Sequence, residues 1–388
     1  MNRLRAALIG TGNIARQHVR GLRTQPDLVE LVAVLDVDPA RAAAFAKEHD
    51  IPAVHHELAA LLATARPDIV HICTPPSFHA ALAIACLEGG AHVLCEKPLC
   101  ASLAELDLIQ AAERRSGRFC ATVFQMRYGS SVNHVRQLLQ AGAVGRPLAA
   151  VCNTLWYRSP TYYQVAWRGK WSNELGGPTV GHGIHLMDQM LYLLGEWTTL
   201  RAVARRLDRA IEVEDFSAGI VEFRNGCVAT VINSVLSPRE ETYLRIDTQQ
   251  ATIELTHLYG YSNSSWRFTP APGATADVQA QRVMTPSPSD QTGASRPVTA
   301  GFARLCELPE DLPANHDAQI GAVLRDVRSG SVPLTAGVEA RNTVELLTAI
   351  YKSSFTGLPV ARGSITEGDP FYASFHGGRS LLPPLVTV

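Results

Sequence analysis

A chain of 388 residues, 46% hydrophobic and 18% charged, exceeds what one hydrophobic core usually serves and predicts two globular domains of ordinary soluble composition. A formal charge of -1 excludes the basic surplus needed to bind nucleic acid or an anionic membrane, so function is expected in a small-molecule pocket. The eight cysteines stand singly, mostly inside apolar runs, which predicts reduced buried thiols; with no leader read ahead of the first strand and no apolar run of membrane-spanning length, a cytoplasmic location is the expectation.

The first strand, Leu4 to Ile9, runs directly into Gly10-Thr11-Gly12-Asn13-Ile14-Ala15 and a helical pattern to about Arg23. In this Gly-x-Gly-x-x-Ala order, Gly10 permits a tight turn and Gly12 lets the backbone approach a pyrophosphate. Asn13 and Ile14 open the helix whose N-terminus attracts that charge, and Ala15 lets helix and strand pack closely. The second strand, Glu30 to Leu35, ends in Asp36, an acid suited to ribose hydroxyls and repulsive to a 2′-phosphate, so NAD is favoured over NADP. Helices are predicted over 39–49 and 57–64. A strand from Ile69 to Cys73 stops at Thr74-Pro75-Pro76-Ser77-Phe78-His79, where Ser77 is placed to cap a helix running to Glu88. The next apolar strand closes on Glu96-Lys97-Pro98. Strand ends of this kind are where open α/β sheets bind ligands, and a lysine desolvated there becomes a proton carrier. A helix capped by Ser102 and ended by Gly117, then a strand from Phe119 to Val123, completes a doubly wound parallel α/β domain over 1–124.

Past Gln125 the rhythm changes. A helix over 131–140 and a long strand from Pro147 to Tyr157 precede a hairpin, 216–223 with 227–234, around Asn225-Gly226, and a further strand pair, 243–247 with 252–256. Helices over 314–329 and 337–354 follow, so residues 125–388 read as an α+β domain with a large, mostly antiparallel open sheet. Residues 267–300 read as a surface insertion. In the tail, 362–388, the aromatic segment 370–378 is expected to pack on the body or on a neighbouring subunit. Gln125, Arg127 and Tyr128 are expected to face the cleft, and His316 at a helix start is a further candidate. Trp156-Tyr157-Arg158, Tyr162-Tyr163 and Trp167-Arg168 to Trp171 supply aromatic faces and guanidinium groups suited to sugar rings. His182, His185 and Asp188 recur at three-residue spacing, but Gly181 and Gly183 keep His182 in a loop, so no metal is expected.

With the glycine fingerprint, Thr74-Pro75 followed by His79, and Glu96-Lys97-Pro98 in order, the chain resembles the Gfo/Idh/MocA oxidoreductases over nearly its whole length. The resemblance implies an NAD-dependent dehydrogenase or reductase acting on a hydroxyl of a sugar, cyclitol or glycoside, and a homo-oligomer, dimer or tetramer, formed through the open sheet. It implies that Lys97 projects toward the reacting hydroxyl and that the Lys97-Pro98 peptide can be cis. Thr74, Pro75, His79, Glu96 and Gln125 are then implied on the cofactor side, with Trp167 and Arg168 against the cofactor. The family pattern Asp-x-Gly-x-His falls on Gly181 to His185: His185 matches, Gly181 stands where the acid is expected, and His182 is a possible substitute. Lys97 and His185 are thus the implied catalytic pair, with Arg127, Tyr128, Tyr157, His182 and His316 on the substrate. Two alternatives stay open: a glycoside-cleaving enzyme that retains NAD, and a non-catalytic protein that binds NAD or sugar.

Overall fold

The computed structural model of the chain describes residues 2–276 and 298–381. Six parallel strands form the first sheet: β1 (Leu4–Ile9), β2 (Val29–Leu35), β3 (Ala53–His55), β4 (Ile69–Ile72), β5 (His92–Cys95) and β6 (Cys120–Thr122), in the order β3-β2-β1-β4-β5-β6. The order reverses between β1 and β4, and the crevice at the carboxyl ends of those two strands is where a doubly wound sheet takes a ligand. Helices cover both faces, so β4 and β5 are buried along their whole length and read as unbroken apolar runs rather than alternating ones.

The second sheet has eight strands: β7 (Pro147–Tyr157), β8 (Trp197–Arg205), β9 (Phe216–Phe223), β10 (Val228–Ser234), β11 (Leu236–Thr248), β12 (Ala251–His257), β13 (Trp266–Pro270) and β14 (Val360–Ala361). Their order is β13-β12-β11-β7-β10-β9-β8-β14, and every pair is antiparallel except β10 on β7. The hairpin falls at Asn225-Gly226 as expected, but its loop has three residues rather than two, Arg224 to Gly226, with Gly226 at φ +84°, its N–H bonded to the Phe223 carbonyl and the Phe223 N–H bonded to the Cys227 carbonyl. One face of the sheet packs on the helices Ile184–Leu194 and Val338–Thr356; the other carries exposed Val203, Ile220 and Val228. The helix His316–Ser329 returns to the first sheet, where Ile320, Val323 and Leu324 pack with Ala6, Leu22 and Val29. That return brings the start of a late helix to the carboxyl edge of the nucleotide-binding half.

Some expectations are corrected. Ser77 caps no helix: Pro76–Phe78 forms a 3-10 turn and the α-helix begins at His79 without a side-chain cap. The paired prolines start the turn early, so Ser77 lies inside it rather than ahead of the helix. The expected insertion begins too soon, because Trp266 and Phe268 alternate inward on β13 and pair with Leu255 and Ile253. Residues 277–297, the rest of that insertion, and 382–388 of the tail lie outside the described residues. The aromatic tail packs on the body, with Phe371 and Phe375 each 2% exposed. All eight cysteines are free, and all but Cys306 are buried.

Candidate active site

The glycine loop is shaped by contact on one side and space on the other. Gly10 has φ +90°, and a Cβ there would fall 2.8 Å from the Cys73 carbonyl oxygen, so only glycine allows β1 to turn against β4. At Gly12 an added Cβ would meet nothing within 4 Å: the backbone is open where a pyrophosphate would lie, at the head of the helix Ala15–Arg23. Asp36 closes the far end of the loop. It accepts from the Thr11 N–H at 2.8 Å and hydroxyl at 2.6 Å, and from the Arg41 guanidinium at 2.6 and 3.2 Å. Burial alone would push this carboxyl up, but Arg41, Asp38 and Thr11 outweigh it and hold it well below the usual carboxylate range. These residues fit a dinucleotide.

Where the two sheets' helices meet, a cavity of about 440 Å³ is bounded by Ile14, Glu96 and Lys97 from the nucleotide half and by β7, β11 and β12 from the other. Lys97 follows β5, and its Nζ donates to the Gly181 carbonyl at 2.7 Å; the Lys97–Pro98 peptide is cis. Gly181 and His182 lie in a π-helical turn, Thr179–Gly183, not a loop, and His185 stands in the first turn of the helix that follows. Burial and then the Lys97 charge push both histidines well below the ordinary imidazole value, so both rings are neutral. Burial also lowers Lys97, against Glu96 and Glu174, which raise it. Seven buried polar atoms on this lining lack a partner: Gln125 Oε1, Thr154 Oγ1, His182 Nδ1, His185 Nδ1, Gln189 Oε1 and both nitrogens of His257. Buried polar groups are normally satisfied, so a concentration of orphans on the residues around one cavity sets it apart as the candidate ligand site. A larger cleft, about 820 Å³ beside Arg136 and Tyr192, has none.

Glu96 anchors the nucleotide side. Its Oε1 lies 3.1 Å from His18 Nε2 and 3.4 Å from His316 Nε2, and its Oε2 accepts the Lys97 N–H at 3.2 Å. His18 Nδ1 in turn meets His71 Nδ1 at 2.9 Å. Burial would raise the Glu96 carboxyl; the two imidazoles reverse this and keep it ionised. The donor atoms of His18, Glu96 and His316 lie within 4.8 Å of one another, a spacing that also admits a cation, but imidazole N–H groups satisfy the carboxylate as it stands.

Not every expected residue arrives. Arg127 is fully buried, forked onto Asp188 at 2.6 and 2.7 Å and paired with Glu339, so its charge is consumed in the core. Tyr128 meets Thr335 rather than the cavity. His79 is buried between the Pro98 and Thr74 carbonyls at 2.7 and 2.9 Å and ties those two loops together. Thr74 keeps a buried hydroxyl with no partner beside that tie. Tyr157 points outward, 41% exposed under Arg209, because β7 alternates and its inward neighbour is Trp156. Trp167 is 39% exposed and stacks on Arg168; only Arg168 reaches the cavity. His316 does line it. Of the aromatic and cationic cluster expected from the sequence, Trp156 and Arg158 line the cavity with Arg168, whereas Thr154, Gln189, His257 and Tyr259 were missed. Strand alternation from Tyr157 identifies Trp156 and Thr154; His257 and Tyr259 lack such a signal because the end of β12 sets where they fall.

Residues 4–124 match the profile described as the oxidoreductase family, NAD-binding Rossmann fold, and residues 132–254 match the GFO/IDH/MocA C-terminal domain. A D-glucoside 3-dehydrogenase of Escherichia coli is 29% identical over 286 residues, 67% of this chain and 80% of that one. A D-apiose dehydrogenase of Paraburkholderia graminis is 25% identical over 97% of this chain and 95% of its own. The WlbA dehydrogenase of Chromobacterium violaceum, solved with NADH and UDP-GlcNAcA, superposes with a TM-score of 0.76 at 25% identity, covering 94% of this chain and 98% of that one.

Proposed function

The chain belongs to the Gfo/Idh/MocA oxidoreductases, and from that premise we propose that it moves a hydride between NAD and a hydroxyl-bearing carbon of a sugar, cyclitol or glycoside. The observation that carries this reading is the ring of unpartnered polar atoms around a cavity that also holds Lys97 and His185. A bound NAD+ would supply the hydride acceptor, held by Gly10, Gly12, Asn13, Ile14 and Asp36. The chain's own residues manage the proton. His185, neutral and on the cavity lining, accepts the hydroxyl proton as the C–H electron pair leaves and C–O becomes C=O. Lys97, an ammonium with N–H groups beyond the one on Gly181, donates to the developing alkoxide. Trp156 and Tyr259, with ring centroids 4.6 Å apart, give the sugar an aromatic wall.

The relatives named for activity on glucosides and apiose support the substrate class. The exposed apolar face of the second sheet supports a homo-oligomer. Incubating the protein with NAD+ and a panel of sugars, glycosides and polyols tests the reading: NADH accumulates with at least one of them, whereas glycoside cleavage without NADH, or binding without either, assigns the cavity to one of the two alternatives.

A further inference from the structure

The charges around this cavity are unevenly placed. Lys97, Arg158 and Arg168 line it, and Glu96 is the one carboxylate that does. Glu96 already accepts from His18 and His316 on the nucleotide side. Glu240 and Glu174, which pair with Arg158 and Arg168 at 3.1 Å each, stand outside the lining. Arg158 stands over Trp156, its Cζ 5.0 Å from the ring centroid, and is held there by bonds to the Tyr259 hydroxyl and to Glu240 before a ligand arrives. At the centre of this group is Gly181, whose carbonyl takes the Lys97 ammonium at 2.7 Å and whose added Cβ would meet nothing within 4 Å. There is thus room for a Cβ at Gly181, on the same cavity lining as Lys97, Arg158 and Arg168. The charges that weigh most on the adjoining His182 ring are the positive ones of Lys97, Arg158 and Arg168.

We propose that the cavity space at Gly181 receives a carboxylate of the substrate, so that the sugar oxidised is an anionic one, an aldonate or uronate, and that Gly181 is the residue that selects it. The inference rests on the dehydrogenase reading and narrows its substrate class. A carboxylate there gives these cations a charged partner inside the cavity, where Glu240 and Glu174 hold the two arginines only from outside it and Lys97 has only a neutral carbonyl; a neutral sugar does not. The carboxylate takes no part in the redox step, in which a ring or chain hydroxyl carbon loses hydride to NAD+ and its proton to His185.

Matched pairs test this: glucuronate with glucose, galacturonate with galactose, gluconate with glucitol, and the corresponding sugar phosphates as a second source of anion. Turnover is read as NADH formation, and binding is read by calorimetry on the NADH-bound protein. The expected result is a preference for the carboxylate member of roughly tenfold or more in kcat/KM and in affinity. Gly181→Asp places a competing carboxylate in the space and inverts the preference within each pair, while Gly181→Ala, uncharged, keeps it. Equal or better use of the neutral sugars, a preference for phosphate over carboxylate, or a Gly181→Asp protein with the wild-type preference overturns the proposal. If acids bind preferentially but no compound yields NADH, the dehydrogenase reading fails and the anion site stands.

Discussion

Lys97 and His185 divide the proton work by opposite demands on charge, and that division has a measurable sign. Oxidation requires His185 neutral and Lys97 protonated. Burial places the His185 pKa well below the ordinary imidazole value, so activity is lost on the acid side only below that range. Burial likewise lowers Lys97, and activity falls as pH rises through a value below that of an ordinary lysine. The pH profile of kcat/KM is therefore bell-shaped. Lys97→Arg, cationic at every accessible pH, removes the alkaline limb, and Lys97→Met lowers kcat by about 10²–10³-fold at the optimum. An alkaline limb that persists in the arginine variant would assign it to another group. Lys97 was legible in the sequence because it follows an apolar strand at the edge where a doubly wound sheet binds ligands and because Glu96-Lys97-Pro98 matches the family's motif. Arg127 misled by a similar placement: from sequence a cation beside the last strand looks like a ligand group, and only the fold reveals Asp188, sixty-one positions later, consuming it.

At the scale of the element, the β1 turn does most to put the reactive end of a cofactor beside Lys97. Gly10 abuts the Cys73 carbonyl at the point where strand order reverses, so its backbone links the pyrophosphate position to the end of β4. Gly10→Ala forces a left-handed backbone on a residue with a Cβ and drives that Cβ into the carbonyl. It is expected to cost more than about 1 kcal/mol of stability and to abolish NADH binding. Thermal unfolding and fluorescence titration with NADH check both; unaltered binding would place the cofactor elsewhere. Elements with strong local signals were readable in the same way: the Gly-x-Gly-x-x-Ala turn, the Asn-Gly hairpin and the helix that Ser102 caps with a 3.1 Å bond to the Glu105 N–H. The β8 strand and the short β3 were not read, since their pairing, not their composition, makes them strands. The π-helical turn that presents Gly181 and His182 was also hidden, because two flanking glycines read as loop in any local scheme.

For the molecule as a whole, the two sheets play different parts. The first holds the nucleotide, and the second gives one face to the cavity wall and leaves the other partly apolar. Val203, Ile220 and Val228 are 43%, 53% and 44% exposed on adjoining strands of that outer face. A stable pairing of two copies needs about 800 Å² from each, which an eight-stranded sheet face can supply. Light scattering is expected to give a dimer or tetramer at micromolar concentration and a smaller species for Ile220→Asp; a monomeric wild type would remove the outer face from that role. The central claim is that hydride leaves a sugar carbon for the cofactor and departs with it. It is tested most directly by offering NAD+ and a substrate deuterated at the reacting carbon, then weighing the released cofactor by mass spectrometry. Deuterium is expected in the reduced cofactor in amounts matching the ketone formed, and is lost with Lys97→Met. Released cofactor without deuterium, while the sugar is nonetheless consumed, would contradict the account.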